Sequence, residues 1–200
     1  MRRKTFDALL TTGGLIVAAM LLVAGGLLTW AHGFVQSEVT SQLSAQQIFF
    51  PKAGSEALAD PAVKPFLSPY AGQQLTDGAQ AKAYADHFIA VHLKEMTGGQ
   101  TSAQLSGKSL ANPTDTKLAG QVQTVFRGET LRGLLLNAYA FWQMGQIAFI
   151  GAIAAFAAAA VLLALSLLGF LHLRRVPGVE QLHLGEGKHG GVHGRATASV

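Results

Sequence analysis

Histidine is the residue type best suited to chemistry in this chain of 200 residues, which has seven histidines and no cysteine. His87 and His92 are five residues apart, so on a helix they differ by about 140° and do not share a face. That spacing favours packing beside an apolar face over metal ligation. Glycines surround three tail histidines, His183, His189 and His193, which could bind a transition metal but without a spacing that imposes geometry.

Carboxylate, serine and glycine residues, which support catalysis in many enzymes, are also present. Their spacing, however, matches no catalytic motif. Asp86 follows Lys82 by four residues, which is a favourable surface pair on a helix rather than an acid–base pair. There is no G-x-S-x-G elbow, and the glycine pairs at 13–14 and 25–26 lie inside an apolar stretch, which excludes a phosphate loop. The sequence therefore predicts no catalytic residue, no cofactor and no metal site. The missing cysteines also exclude disulfides, thiolate nucleophiles and iron–sulfur clusters.

One group of charges stands close to an apolar segment. Arg127, Glu129 and Arg132 precede it by one to three helical turns. Their ordinary role would be to pair on a helix surface and reach lipid headgroups. The more specific hypothesis is a membrane-proximal contact with a lipid phosphate or a partner subunit. Both interpretations remain open from the sequence.

Two charge-free apolar segments, residues 8–31 and 144–173, must position these side chains. Each is long enough to cross a hydrocarbon core of about 30 Å. Trp30 and Phe141–Trp142 stand at their ends, where interfacial aromatic residues are expected. For the first segment a cleaved signal peptide is the alternative, but its length and the lack of a convincing cleavage motif favour an anchor. Only 13% of the residues are charged, well below the usual share of about 25% in a soluble domain.

The distribution of charge predicts the topology. Residues 1–7 carry three positive charges and one negative, and residues 174–200 carry four and two, so each flank has a net charge of +2. The region between the spans has eight of each sign. The positive-inside rule then places both termini in the cytoplasm of a plasma-membrane protein. The whole net charge of +4 is explained in this way, and it gives no reason to expect a nucleic-acid partner.

The region 32–143 is predicted to be an extracytoplasmic helical domain. Its part 51–77 holds four of the six prolines and reads as a turn-rich excursion. A helix is expected between a cap at Thr76 or Asp77 and Gly98, followed by a short helix near 101–110. Asn112–Pro113 indicates the start of a last helix that leads into the second span, with or without a kink near 128–133. No strand is evident.

The fold class is therefore an all-α membrane protein, with two transmembrane helices and an α-helical extracytoplasmic domain between them. The glycine-rich tail within 174–200 is predicted to be disordered. Small residues recur along both spans in rows that allow close helix contact. They are Gly14, Ala18 and Gly25 in the first span and Gly151, Ala155 and Ala159 in the second. These rows would pack the spans on each other or on another protein.

Several strings together resemble a family of two-span actinobacterial membrane proteins with no established activity. They are RRKTFDALL, LLTWAHGFV, QQIFFP, YAGQQLTDGAQAKAYADHFIAVHLKEM and FRGETLRGLLLNAYAFW. The resemblance covers residues 1–175. Some members carry an automated label of ring-opening dioxygenase, but such an enzyme needs histidine and carboxylate ligands in a packed pocket. The outside histidines of this chain are not suitably spaced for one.

Three functions follow as hypotheses. The first is a non-enzymatic interaction or accessory subunit of a membrane or cell-envelope assembly, whose partners are the lipid bilayer and a membrane protein or a second copy. The second is an extracytoplasmic sensor or binding module for a ligand or lipid. The third is a metal-dependent enzyme that uses His87 and His92.

Overall fold

The computed structural model describes residues 3–175, of which 82% are helical and none lies in a β-strand. The predicted all-α class is confirmed for this part of the chain. Two helices, α1 (Arg3–Ala45) and α6 (Thr116–Arg175), are long and apolar enough to cross a membrane. The predicted disordered tail beyond Arg175 and its histidines lie outside the described residues.

The chain divides into two compact units. The first combines Met1–Leu22 with Phe156–Val200, so its described part consists of the outer ends of α1 and α6. A Cβ placed on Gly14 would lie 2.6 Å from Ser166 Oγ, and one on Gly169 would lie 2.7 Å from Thr11 Oγ1. Since the residue number rises along α1 while its partner's number falls, the two helix ends are antiparallel.

The second unit, Val23–Ala155, contains the rest of α1 and α6 and everything between them. Its shorter α-helices are α2 (Lys64–Leu67), α3 (Gly78–Tyr84), α4 (Ala90–Thr97) and α5 (Ser102–Ala111). Two 3₁₀ turns, Glu56–Leu58 and Ser68–Tyr70, flank α2, and a π-helical turn, Ala85–Ile89, joins α3 to α4. The most completely buried large side chains of the core are Val63, Leu67, Leu75 and Val125.

The predicted proline-rich excursion contains only short helical pieces and is closed at its base by backbone hydrogen bonds. The amide of Phe50 donates to the carbonyl of Gln73 over 2.9 Å, and the amide of Leu75 donates to the carbonyl of Ile48 over 2.8 Å. This closure lets Leu67 enter the core even though its segment has little regular structure. The segment is therefore rich in turns, as the prolines predict.

The ends of the helix pair after the excursion agree with the sequence signals. Asp77 is the N-cap of α3: its carboxylate accepts from the Gln80 amide, and the Gln80 side chain accepts from the Asp77 amide, forming a capping box. At the other end Gly98 ends α4 in the left-handed conformation, with φ of 60°. The predictions for Asp77 and Gly98 are confirmed.

The predicted start of the last helix is wrong. Asn112 ends α5, and α6 begins at Thr116, three residues beyond Pro113. The carboxylate of Asp115 accepts from the Leu118 amide over 2.9 Å and takes the capping role that was predicted for Asn112. From there α6 continues as one helix of 60 residues through 128–133.

Trp142 packs directly on the start of α3. Its side chain occupies the space that a Cβ on Gly78 would need, since that Cβ would clash with Trp142 Cβ and Cγ. These atoms lie close to the α6 backbone, so they cannot move away without moving the helix. Glycine at position 78 is therefore a packing requirement, and Trp142 contacts the helical domain instead of serving as a purely interfacial aromatic residue.

We expect Gly78→Ala to lower the melting temperature of the detergent-solubilised protein because the new methyl group meets Trp142. Gly133→Ala on α6 is the control, since a Cβ there has no neighbour within 4 Å. The free energy of unfolding of that control should rise by up to about 1 kcal/mol, because alanine has a higher helix propensity than glycine. Equal melting temperatures for the two variants, measured by circular dichroism, would contradict the packing described here.

Candidate functional site

The predicted charge group is only partly brought together. Arg132 Nη2 lies 3.2 Å from Asp86 Oδ1, and Arg132 Nη1 lies 3.7 Å from Glu129 Oε2. Lys82 Nζ donates to Asp86 Oδ2 over 2.6 Å. Arg127 is exposed and lies outside this cluster. The charge cluster thus consists of Lys82, Asp86, Glu129 and Arg132, with two charges of each sign.

A π-helical turn positions the carboxylate in this cluster. Asp86 is the second residue of the π-helical turn Ala85–Ile89. A π turn inserts extra backbone and rotates the side chains that follow relative to a regular α-helix. The sequence correctly paired Asp86 with Lys82 at four residues, but it gave no signal for Arg132, which is 46 residues away.

The cluster affects the titration of its own members. Burial by itself would raise the pKa of Asp86, but the hydrogen bonds from Lys82 and Arg132 outweigh it and hold that pKa below its ordinary value. The hydrogen bond to Asp86 likewise raises the pKa of Lys82. Both groups therefore stay charged at neutral pH. The two carboxylates balance the two cations, so the cluster has no net charge. Its ion pair between Arg132 and Asp86 links the π-helical turn to α6.

The two histidines of the helical domain are used in packing. The His87 ring lies parallel to the Phe66 ring, with centroids 3.4 Å apart. His92 Nδ1 is 2.7 Å from the carbonyl oxygen of Phe88, and its ring lies against the Phe88 ring. Among residues 3–175, no group of three or more histidine and carboxylate side chains is placed to hold a metal ion.

A groove of about 500 Å³ lies between α1 and α6 in the unit Val23–Ala155. One wall runs along α1 from Phe34 to Gln46, the first residue beyond the end of the helix, and the other runs along α6 from Leu131 to Phe141. Aliphatic and aromatic side chains dominate both walls. Glu38 is the single ionisable residue among those that line the groove. Sequence reasoning missed this groove, because its two walls are separated by about 85 residues of chain.

The small-residue rows are all buried or half-buried within their own units. Ala18 and Ala159 have no exposed area. Gly14 faces Ser166, as described above, and a Cβ on Gly151 would lie 3.3 Å from Leu28. Gly25 is buried and Ala155 is half-buried. The sequence left open whether these rows pack the two spans on each other or on another protein. The structure places Gly14 and Gly151 against the other long helix of the same chain.

The rows alone did not reveal two hydroxyl side chains that complete this contact. Thr11 on α1 faces Gly169, and Ser166 on α6 faces Gly14, so each helix contributes one hydroxyl and one glycine. The Thr11 hydroxyl donates to the carbonyl of Asp7 over 2.8 Å, so its polar group is satisfied. Glycine opposite a hydroxyl allows the two backbones to approach closely.

The chain has no native cysteine, so introduced cysteines can test this contact. The Cβ atoms of positions 14 and 166 are 4.0 Å apart, and those of positions 11 and 169 are 3.8 Å apart, both within disulfide range. We expect Gly14→Cys with Ser166→Cys to form an intrachain disulfide on mild oxidation. Gly13→Cys with Ser166→Cys is the control, because position 13 has no neighbour within 4 Å. Cross-linking of the control with equal efficiency, seen by non-reducing electrophoresis, would contradict the register.

The charge cluster predicts a pH-dependent stability. A carboxyl group whose pKa is lowered by folding stabilises the protein above its ordinary pKa of about 3.9, and this contribution is lost as the pH falls through the lowered value. Asp86→Asn should therefore cost about 1 kcal/mol of unfolding free energy at pH 7, and the difference from the unaltered protein should shrink below about pH 4.

The exposed Glu56 provides the control for loss of one negative charge, as Glu56→Gln. Denaturant unfolding of both variants at a series of pH values measures the effect. A constant difference between the Asp86→Asn variant and the unaltered protein from pH 7 to pH 3 would show that the ion pairs do not stabilise the fold.

Comparison with known proteins adds no assignment. No protein-family model, curated protein or solved structure matches the chain. The resemblance to two-span actinobacterial membrane proteins thus stays a prediction that rests on the residue strings themselves. The features that bear on function are the charge cluster, the groove, and the exposed apolar surface of the two long helices.

Proposed function

We propose that this protein is a non-enzymatic plasma-membrane protein that presents an interaction surface outside the cell, with both termini in the cytoplasm. The two long apolar helices support the membrane location. The basic excess on both flanks supports the orientation. The region between the spans then forms an extracytoplasmic module that serves as an accessory subunit of a membrane or envelope assembly.

The observation that carries this proposal is a set of exposed apolar side chains along one side of α6, which we call the apolar strip, with the polar Thr130 and Asn137 between them. Phe126, Leu134 and Phe141 lie within about 80° of one another around the helix axis. Phe126 is 59% exposed and Leu134 is 63% exposed. Phe126 lies about 22 Å along α6 from Phe141, which stands at the predicted membrane boundary. The bilayer itself does not reach that far, so an apolar face exposed there favours a protein partner.

The charges beside the apolar strip suggest what such a partner presents. Arg127 is exposed and adjoins Phe126, whereas the Arg132 guanidinium is held by Asp86 and Glu129. We infer that Arg127 is the member of the predicted contact group that meets a partner. An acidic residue flanking an apolar patch would complement this part of the surface.

A second candidate function is binding of a lipid or other amphiphilic ligand. The groove between α1 and α6 favours it, because the groove is mainly apolar and carries a few polar groups. This function is compatible with the first, since a subunit of a membrane assembly can also hold a lipid. The groove and the apolar strip meet at Leu134 and Phe141.

The experiment isolates the protein from membranes in a mild detergent and determines what co-purifies and in what ratio. We expect a stoichiometric protein partner or a defined homo-oligomer. Phe126→Ser should reduce the co-purified partner at least tenfold because it removes an apolar contact without disturbing the core. Leu110→Ser is the control, since Leu110 on α5 is also highly exposed.

Unchanged recovery of the partner with Phe126→Ser would exclude the apolar strip as the interface. Extraction of membranes with alkaline carbonate tests the membrane location separately. Release of the protein into the soluble fraction would refute the two-span arrangement itself.

A further inference from the structure

The groove between α1 and α6 has dimensions that suit one lipid chain. Its α1 wall from Phe34 to Gln46 is about 18 Å long at the helical rise. The acyl chains of one leaflet extend through half of a hydrocarbon core of about 30 Å, which is about 15 Å. A groove of about 500 Å³ over such a length accommodates an extended chain better than a compact ligand.

The lining gives the groove an amphipathic character. Val35, Leu131 and Leu135 are among its apolar lining residues, while Glu38 and Gln42 on α1 add polar groups. The Gln42 amide donates to the Glu38 carboxylate over 3.3 Å. As the single ionisable group in the lining, the Glu38 carboxylate attracts an ammonium group and repels a headgroup with net negative charge.

The apolar surface is continuous between the first span and the groove. The exposed Trp30 ring stacks on the ring of Phe34, with centroids 5.7 Å apart, and Phe34 lines the groove. On α6 the exposed Met144 is one turn from Phe141, which lines the groove opposite. A hydrocarbon chain can therefore pass from the predicted bilayer boundary into the groove without crossing a charged group.

We propose that the groove binds one acyl chain of a phospholipid that carries an ammonium headgroup and no net charge. The ammonium group lies beside Glu38, and the first part of the chain, about 12 Å at the helical rise, lies along the groove toward Gln46. Phosphatidylethanolamine has this chemistry. The inference rests on the membrane location proposed above, and it names the ligand class of the second candidate function. The side-chain amide of Gln42 is placed to donate to the lipid phosphate or ester oxygens.

The first test asks whether lipid occupies the groove. Protein extracted from membranes that contain phosphatidylethanolamine and phosphatidylglycerol is examined by native mass spectrometry. We expect one phosphatidylethanolamine per chain. Leu131→Trp fills the groove and should lower the lipid-bound fraction at least fivefold, whereas Leu110→Trp on α5, away from the groove, should leave it unchanged.

The second test asks whether Glu38 selects the headgroup. Delipidated protein is mixed with vesicles of equal phosphatidylethanolamine and phosphatidylglycerol content. The unaltered protein should take up phosphatidylethanolamine in at least threefold preference. Glu38→Lys should reverse that preference, while Glu56→Lys makes the same charge change at an exposed site outside the groove and should not.

Four results would overturn the proposal. Lipid retention that persists in a stable Leu131→Trp variant would place the lipid elsewhere. Dissociation of a dimer by Leu131→Trp would show that a second copy occupies the groove, and loss of a different protein by that variant would show a protein site. A membrane-integrated protein that retains its partner but no lipid would refute this inference and leave the interaction function standing.

Discussion

Close antiparallel contact between α1 and α6 is the constraint on which the arrangement depends. In the unit Val23–Ala155, a Cβ on Gly145 would lie 3.2 Å from Val35, and His32 Nδ1 is 2.9 Å from the carbonyl oxygen of Gly145. In the other unit, hydroxyl side chains face Gly14 and Gly169. In the proposed membrane location, lipid is as apolar as the side chains, so the hydrophobic effect does not drive the two helices together. Close packing of small residues then stabilises their contact.

The helical domain is assembled on those two helices. Val39 from α1 and Val125 and Leu135 from α6 enter the same core as the short helices between them. Trp142 over Gly78 and Arg132 on Asp86 then join α6 to the start of α3 and to the π-helical turn. The apolar contact provides most of the burial, while the partly exposed ion pairs add about 1 kcal/mol or less.

The surface of α6 divides between the two proposed roles. Its side toward α1 forms one wall of the groove, and the adjacent side carries the apolar strip that begins at Phe126. Leu134 belongs to both surfaces. A lipid in the groove would therefore complete the edge of the surface on which a partner docks, and removal of either occupant would expose additional apolar area on the same helix.

The sequence by itself determined the helical class, the two apolar segments long enough to span a membrane, and the helix ends at Asp77 and Gly98. These depend on composition and on local chemistry within a few residues. The start of α6 at Thr116 also depends on local chemistry, but the cap is Asp115 and not the predicted Asn112. The tertiary structure decided the pairing of Arg132 with Asp86, the contact of Trp142 with Gly78, and the groove. The long-range contacts depend on the rotation and register of one helix against another, which local propensity does not encode, since many registers satisfy the same periodicity.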